Sequence, residues 1–234
     1  MNGSEKYLRR IAAPLLALVV AASFLLRAEE KSGTSASAPG TLRRNVAILL
    51  FEGVELLDFA GPGEVFSAAG GRGGFKVFTV GATTEAITSQ GFVTIRPEFS
   101  TATSPRPDIL ILPGGGVGSV LDDPTLMDWI KRSSRDAELV LSVCNGALVL
   151  AKAGLLDGLE ATTHHGSIAS LRKLAPRTKV HENRRFVDNG KIVTAGGVSA
   201  GIDAALHVVE RLLGPSAART TARYMEYRWE PSRS

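Results

Sequence analysis

The chain has 234 residues, 44% hydrophobic and 21% charged, which excludes a disordered tail, a collagen-like repeat and a polytopic membrane protein. One globular domain of ordinary size fits this length. Seven of the 27 Lys and Arg and three of the 23 Asp and Glu lie in residues 1–44, so the rest of the chain carries 20 of each and is neutral; a neutral domain gives no hint of nucleic acid as a partner.

The first segment, residues 1–28, has a positive flank (Lys6, Arg9, Arg10) and then a 16-residue uncharged run from Ile11 to Leu26. This pattern predicts a signal-anchor or a signal peptide. Small residues offer cleavage after Ala22, but Phe24-Leu25-Leu26 continue the apolar run, which favours an uncleaved anchor over a cleaved, exported form. The positive flank keeps that end in the cytoplasm, so the domain is expected outside the inner membrane. Residues 29–44 read as a flexible linker, and the domain is expected to span residues 45–234.

Within the domain, Asn45–Phe51 reads as a buried strand. A helix follows from Leu57 to Ala69, its start bent by Gly61-Pro62-Gly63. Phe75–Val80 is a second strand, and Thr84 to Ile95 suggests a hairpin around Gly91. Asp108–Leu112 is a buried strand that ends abruptly in Pro113-Gly114-Gly115-Gly116. Pro124 to Arg135 is a helix with Pro in its first turn. Glu138–Val143 is a buried strand, followed at once by Cys144 and a helix from Ala147 to Ala153. A short strand is expected at Ala161-Thr162-Thr163. Asp188-Asn189-Gly190 forms a hairpin turn between Phe186–Val187 and Lys191–Thr194. Ser199 is expected to cap a long helix to Leu213, and a last helix runs to about Tyr227. Apolar strands alternating with helices predict an α/β fold, a parallel sheet sandwiched by helices. Ligands sit at the carboxyl ends of such strands.

Cys144 stands at one of those ends, where a strand turns directly into a helix. That arrangement predicts a nucleophile elbow, with the sulfur exposed over the sheet edge. The free N–H groups of the helix start favour the thiolate over the thiol. A lone cysteine is otherwise most often inert packing. Gly146 is expected to let the backbone approach a ligand. The backbone of Gly114–Gly116 suits an oxyanion hole. Asp58, between Leu57 and Phe59, caps the helix or shuttles protons with a pKa raised by burial. Glu52, Glu55 and Glu64 compete with it. His164 or His165 is a candidate base. The four histidines show no metal-binding spacing, and the single Cys allows neither a disulfide nor a Cys-rich metal site, so neither a metal nor a cofactor is expected.

The strings NVAILLFEGVELLDFAGPGEVF, DILILPGGGVG, VLSVCNGALVLAKAGLLDG, ATTHH and TAGGVSAGIDAAL occur in that order. The chain from Asn45 to the end resembles the ThiJ/PfpI superfamily, with its flavodoxin-like, class I glutamine amidotransferase-like fold. Within it, the resemblance is to the isocyanide (isonitrile) hydratase branch and to the sensor domains of AraC-type regulators. The resemblance implies Cys144 as nucleophile, Asp58 as its acidic partner and His164 as the histidine of the T-T-H segment. It implies Gly115, with neighbouring Gly116, and the N–H of Asn145 as oxyanion and substrate contacts. The family's hydratases have Thr where this chain has Asn145, and its protease-like members have His there. The implied activity is cysteine-dependent hydration of a small electrophilic carbon, by a homodimer acting on a small-molecule substrate. Three other readings stand beside it: a ligand sensor, a redox or carbonyl-stress sensor, and a glyoxalase- or deglycase-like activity. The regulators carry a C-terminal helix-turn-helix region that the residues after Gly214 do not accommodate, so direct DNA binding is not expected.

Overall fold

The computed structural model describes residues 43–230. The expected anchor or signal (1–28) and most of the linker lie outside the described residues. Among the described residues, no helix is long and apolar enough to cross a membrane.

The core is a seven-stranded sheet. Its central strands are β1 (Arg44–Leu49), β2 (Phe75–Gly81), β6 (Ile109–Leu112), β7 (Leu139–Ser142) and β11 (Ile192–Ala195). With β5 (Phe99–Ser100) and β10 (Phe186–Asp188) at the margins, the order is β10-β11-β7-β6-β1-β2-β5. Every pairing is parallel except β10 with β11. All residues of β6, β7 and β11 are buried. Strands buried along their whole length must be covered on both faces, which explains their unbroken Val, Ile and Leu runs. The expected hairpin appears as β3 (Ile87–Ser89) and β4 (Val93–Ile95), a separate two-stranded sheet.

On one side pack α1 (Leu56–Ala68), α6 (Ala200–Leu213) and α7 (Pro215–Tyr224). The helices α1 and α6 cross closely: a Cβ on Gly61 would lie 2.8 Å from Ile202 Cγ1, and one on Gly201 would lie 3.3 Å from Pro62 Cγ. Helix α1 starts one residue before the expected Leu57 and runs continuously through Pro62. The remaining helices are α2 (Gly118–Leu121), α3 (Pro124–Asp136), α4 (Gly146–Lys152) and α5 (Ile168–Leu174). Asp123 caps α3 by accepting from the Thr125 and Leu126 amides. Two further strands, β8 (Glu160–Ala161) and β9 (Lys179–Val180), pair with each other. Ser199 precedes α6 as expected, but its hydroxyl does not cap the helix; it accepts from Arg185 instead.

Candidate active site

Strand β7 delivers its end directly into α4, and Cys144 is the residue that makes the turn. Its φ is +58°, a left-handed conformation that non-glycine side chains rarely adopt and that is concentrated at functional sites. The turn is pinned on both sides. The Cys144 amide donates to Gly196 O at 3.0 Å, and Thr163 Oγ1, fully inside, donates to Cys144 O at 2.8 Å. The turn is that of an elbow, with two differences: Cys144 is buried and not exposed over the sheet edge as expected, and the glycine two residues on plays another part. Gly146 does not admit a ligand: a Cβ there would lie 2.1 Å from Leu112 O. It lets the elbow pass against the end of β6.

Asp58 lies in the first turn of α1 with no solvent exposure. Its Oδ2 accepts from the Gly114 amide at 2.9 Å and its Oδ1 from the Val198 amide at 3.2 Å. Val198 has φ +54°, a costly conformation for a β-branched residue. The strain holds its N–H on the carboxylate. The Cys144 thiol and this carboxylate are close enough to shift one another's ionisation. Burial, opposed by the Gly114 amide and reinforced by Glu55, pushes the Asp58 carboxyl up to about 7. Burial, then the Asp58 charge, pushes the Cys144 thiol up to about 12, although the Asn145 amide pulls the other way. The expected resting thiolate is therefore corrected: desolvation and the adjacent carboxylate outweigh the helix start. Between those two values the pair keeps one proton. Asp58 is placed to take the thiol proton as the sulfur attacks.

The three glycines after β6 are differently employed from the expectation. The Gly115 amide donates to Asn145 Oδ1 at 2.8 Å, and Asn145 Nδ2 returns a bond to Gly115 O at 3.0 Å. The Gly116 amide donates to Gly53 O at 2.9 Å. Neither is a free oxyanion donor, because the Asn145 side chain and the Gly53 carbonyl already occupy them. The Asn145 amide, which faces the sulfur, is the donor left at the elbow.

His164 is half-buried and His165 exposed, with ring centroids 4.1 Å apart. His164 Nδ1 accepts from the Gly166 amide at 3.1 Å, and its ring lies against Gly197, beside Val198. Among the described residues, no hydrogen bond joins His164 to Cys144 or Asp58. The expected base is thus bound to its own turn and borders the loop that holds the acid. Three contributors escaped the sequence reading. Thr163 is flagged only by its place before the histidines. Nothing in the sequence marks the left-handed Val198. Gly114 was grouped with its neighbours. Among the described residues, no three His, Cys, Asp or Glu gather as metal ligands.

A largely parallel α/β sheet with a left-handed cysteine at a strand end and a buried acid beside it defines a class: α/β proteins with a cysteine at a strand-to-helix elbow. Within that class, the chain belongs to the DJ-1/PfpI family, whose sequence profile matches residues 44–211. An isonitrile hydratase of Pseudomonas putida is 33% identical over 186 residues, 78% of each chain. The transcriptional regulator GbdR of Pseudomonas aeruginosa is 26% identical over 185 residues, 74% of this chain and 49% of the regulator. Among solved structures, a ThiJ/PfpI family protein from Pseudomonas syringae superposes with a TM-score of 0.74 at 26% identity, covering 87% of this chain and 83% of the other.

Proposed function

We propose that the protein is a cysteine-dependent hydro-lyase that hydrates a small electrophilic carbon, in the manner of an isocyanide hydratase. The observation that carries this reading is the Asp58–Cys144 pair, a left-handed elbow cysteine beside a fully buried carboxylate. The likeness to the Pseudomonas putida hydratase supports the substrate class. As Asp58 takes the thiol proton, the sulfur bonds to the terminal isocyanide carbon. Asp58 returns that proton to the same carbon, giving a thioimidate. Water then adds to the thioimidate carbon, and Asp58 takes one water proton and passes it to the nitrogen. The C–S bond breaks as the hydroxyl becomes the carbonyl, its proton returning through Asp58 to the sulfur; the thiol is restored and the N-substituted formamide leaves, the sum of one isocyanide and one water. The protein is further proposed to act as a homodimer held outside the inner membrane by its N-terminal segment.

The test is an isocyanide turnover assay on the full chain, following loss of the isocyanide infrared band and appearance of formamide. Turnover in the wild type and none in Cys144→Ala is the expected result. No turnover in the folded wild type discards the reading.

One observation favours a second reading, a ligand-sensing domain like those of the regulators. The Gly115 amide, which would polarise a substrate, is taken by Asn145. Asn145→Thr removes that side-chain carbonyl. If the protein is a hydratase slowed by its Asn, turnover rises in this variant, by about a hundredfold, the lower end for one oxyanion-type donor. If it is a sensor, both proteins are inactive.

A further inference from the structure

The segment that leads into α1 carries a second carboxylate that hydration does not use. Glu55 stands at the residue before α1, a position where Ser, Thr, Asp or Asn ordinarily caps the helix. Its side chain makes no capping bond. Its Oε2 accepts instead from Gln90 Nε2 at 2.6 Å. Gln90 (φ +48°) and Gly91 (φ +75°) form the tight turn between β3 and β4, a turn that takes positive φ at both central positions. The hairpin that carries Gln90 is fastened to the segment around Glu55. The Gly53 amide donates to Thr88 O at 2.8 Å, the Thr88 amide to Glu52 Oε2 at 2.9 Å, and Ser89 Oγ to Val54 O at 2.7 Å. The Glu55 amide donates to Gly114 O at 2.9 Å, in the glycine run that also binds Asp58. Glu55 and Asp58 are three residues apart at a helix start, so their side chains leave the same side. Asp58 and Glu55, when ionised, each disfavour a negative charge on the Cys144 sulfur. A Glu at the cap position that makes no capping bond and is held instead by a hairpin turn breaks a local rule with no gain to α1. Such places mark function.

We propose that Glu55 is a specificity-determining residue of the Cys144 site, which selects electrophiles that carry a positive charge and turns away anionic ones. The substrate class is then a small electrophile, an isocyanide in the reading above, bearing a protonated amine. This rests on Cys144 being the nucleophile, but the test reads labelling of the sulfur and not hydration, so the two readings fail separately.

Cys144 is the only cysteine, so methanethiosulfonate labelling of the full chain reports this site alone. The thiol loses its proton, its sulfur forms a disulfide with the reagent, and methanesulfinate leaves with the electron pair of the broken S–S bond. Rates are followed by intact mass for reagents bearing trimethylammonium, neutral methyl and sulfonate groups, each normalised to free cysteine. The expected order is cationic, neutral, anionic. Glu55→Gln keeps an acceptor for Gln90 and removes the charge; its cationic-to-anionic ratio falls by about tenfold. High salt moves the wild-type ratio the same way. Gln90→Ala removes the anchor but keeps the charge, and retains the wild-type order. An unchanged ratio in folded Glu55→Gln, an equal change in Gln90→Ala, or no labelling by any reagent overturns the proposal.

Discussion

Asp58 is a carboxylate that the protein deprives of water, and the consequence is a dependence of stability on pH. Its folded value of about 7 lies above the ordinary 3.8. Between those values the folded chain holds a proton that the unfolded chain has released, so stability falls as pH rises from about 4 to about 7 and this loss levels off above. In Asp58→Asn that contribution disappears. Denaturant midpoints at pH 5 and pH 8 are expected to drop in the wild type and to stay closer together in the variant; equal drops would remove Asp58 as the source. Catalysis has the opposite slope, because the carboxylate must be free to take the thiol proton; turnover is expected to rise with pH through about 7. Cys144 and Asp58 were both legible in the sequence, since a strand–Cys–Asn–Gly–helix junction and an acid before Gly-Pro are local patterns. The protonation state was not. It is set by burial and by the distance between two residues far apart in the chain, and neither is written in local spacing. The same holds for the Gly115 amide, whose occupant is a side chain on another strand's end.

At the scale of the element, the α4 junction is fixed by close approach. In Gly146→Ala the new Cβ would meet backbone oxygens of Leu112 and Pro113, at 2.1 and 2.9 Å. Backbone cannot swing aside as a side-chain end does, so this substitution is expected to cost about 3 kcal/mol in a urea titration. A loss below about 0.5 kcal/mol, the range of an ordinary surface change, would show that the elbow has slack. The elements the sequence revealed are those whose pattern is long or sharply bounded: the buried runs of β1, β6 and β7, the hairpin around Gly91, and α3 with its Pro. Those it hid are β5 and β9, each two residues long, and α2 and α5, of four and seven residues, while β8 forms at Glu160–Ala161 and shares only Ala161 with the strand expected there. A segment that short completes too few turns or alternations to show a period, and its existence depends on what packs against it.

For the molecule as a whole, the far margin of the sheet is tied to the helix layer by charge. Asp188 at the end of β10 accepts from His207 Nε2 at 2.7 Å and from Arg211 Nη1 at 2.8 and 2.9 Å. Burial opposes ionisation there, but His207, the Gly190 amide and Arg211 hold the Asp188 carboxyl below the ordinary range. A depressed carboxyl stabilises the fold above its unfolded pKa and ceases to do so as pH falls through the folded one. Asp188→Asn is expected to cost about 2 kcal/mol at pH 7, and the gap to the wild type should close in strong acid; a gap independent of pH would assign the loss to packing. The margins themselves carry a final consequence. One ends in β5, two residues long, and the other in β10, three residues long and antiparallel to its neighbour. Each offers so few free backbone groups that a stray strand finds little to zip onto. A sheet with this much apolar sequence at its centre is thereby guarded against fibre-like growth from its sides, and aggregation has to begin with chains that have not yet folded.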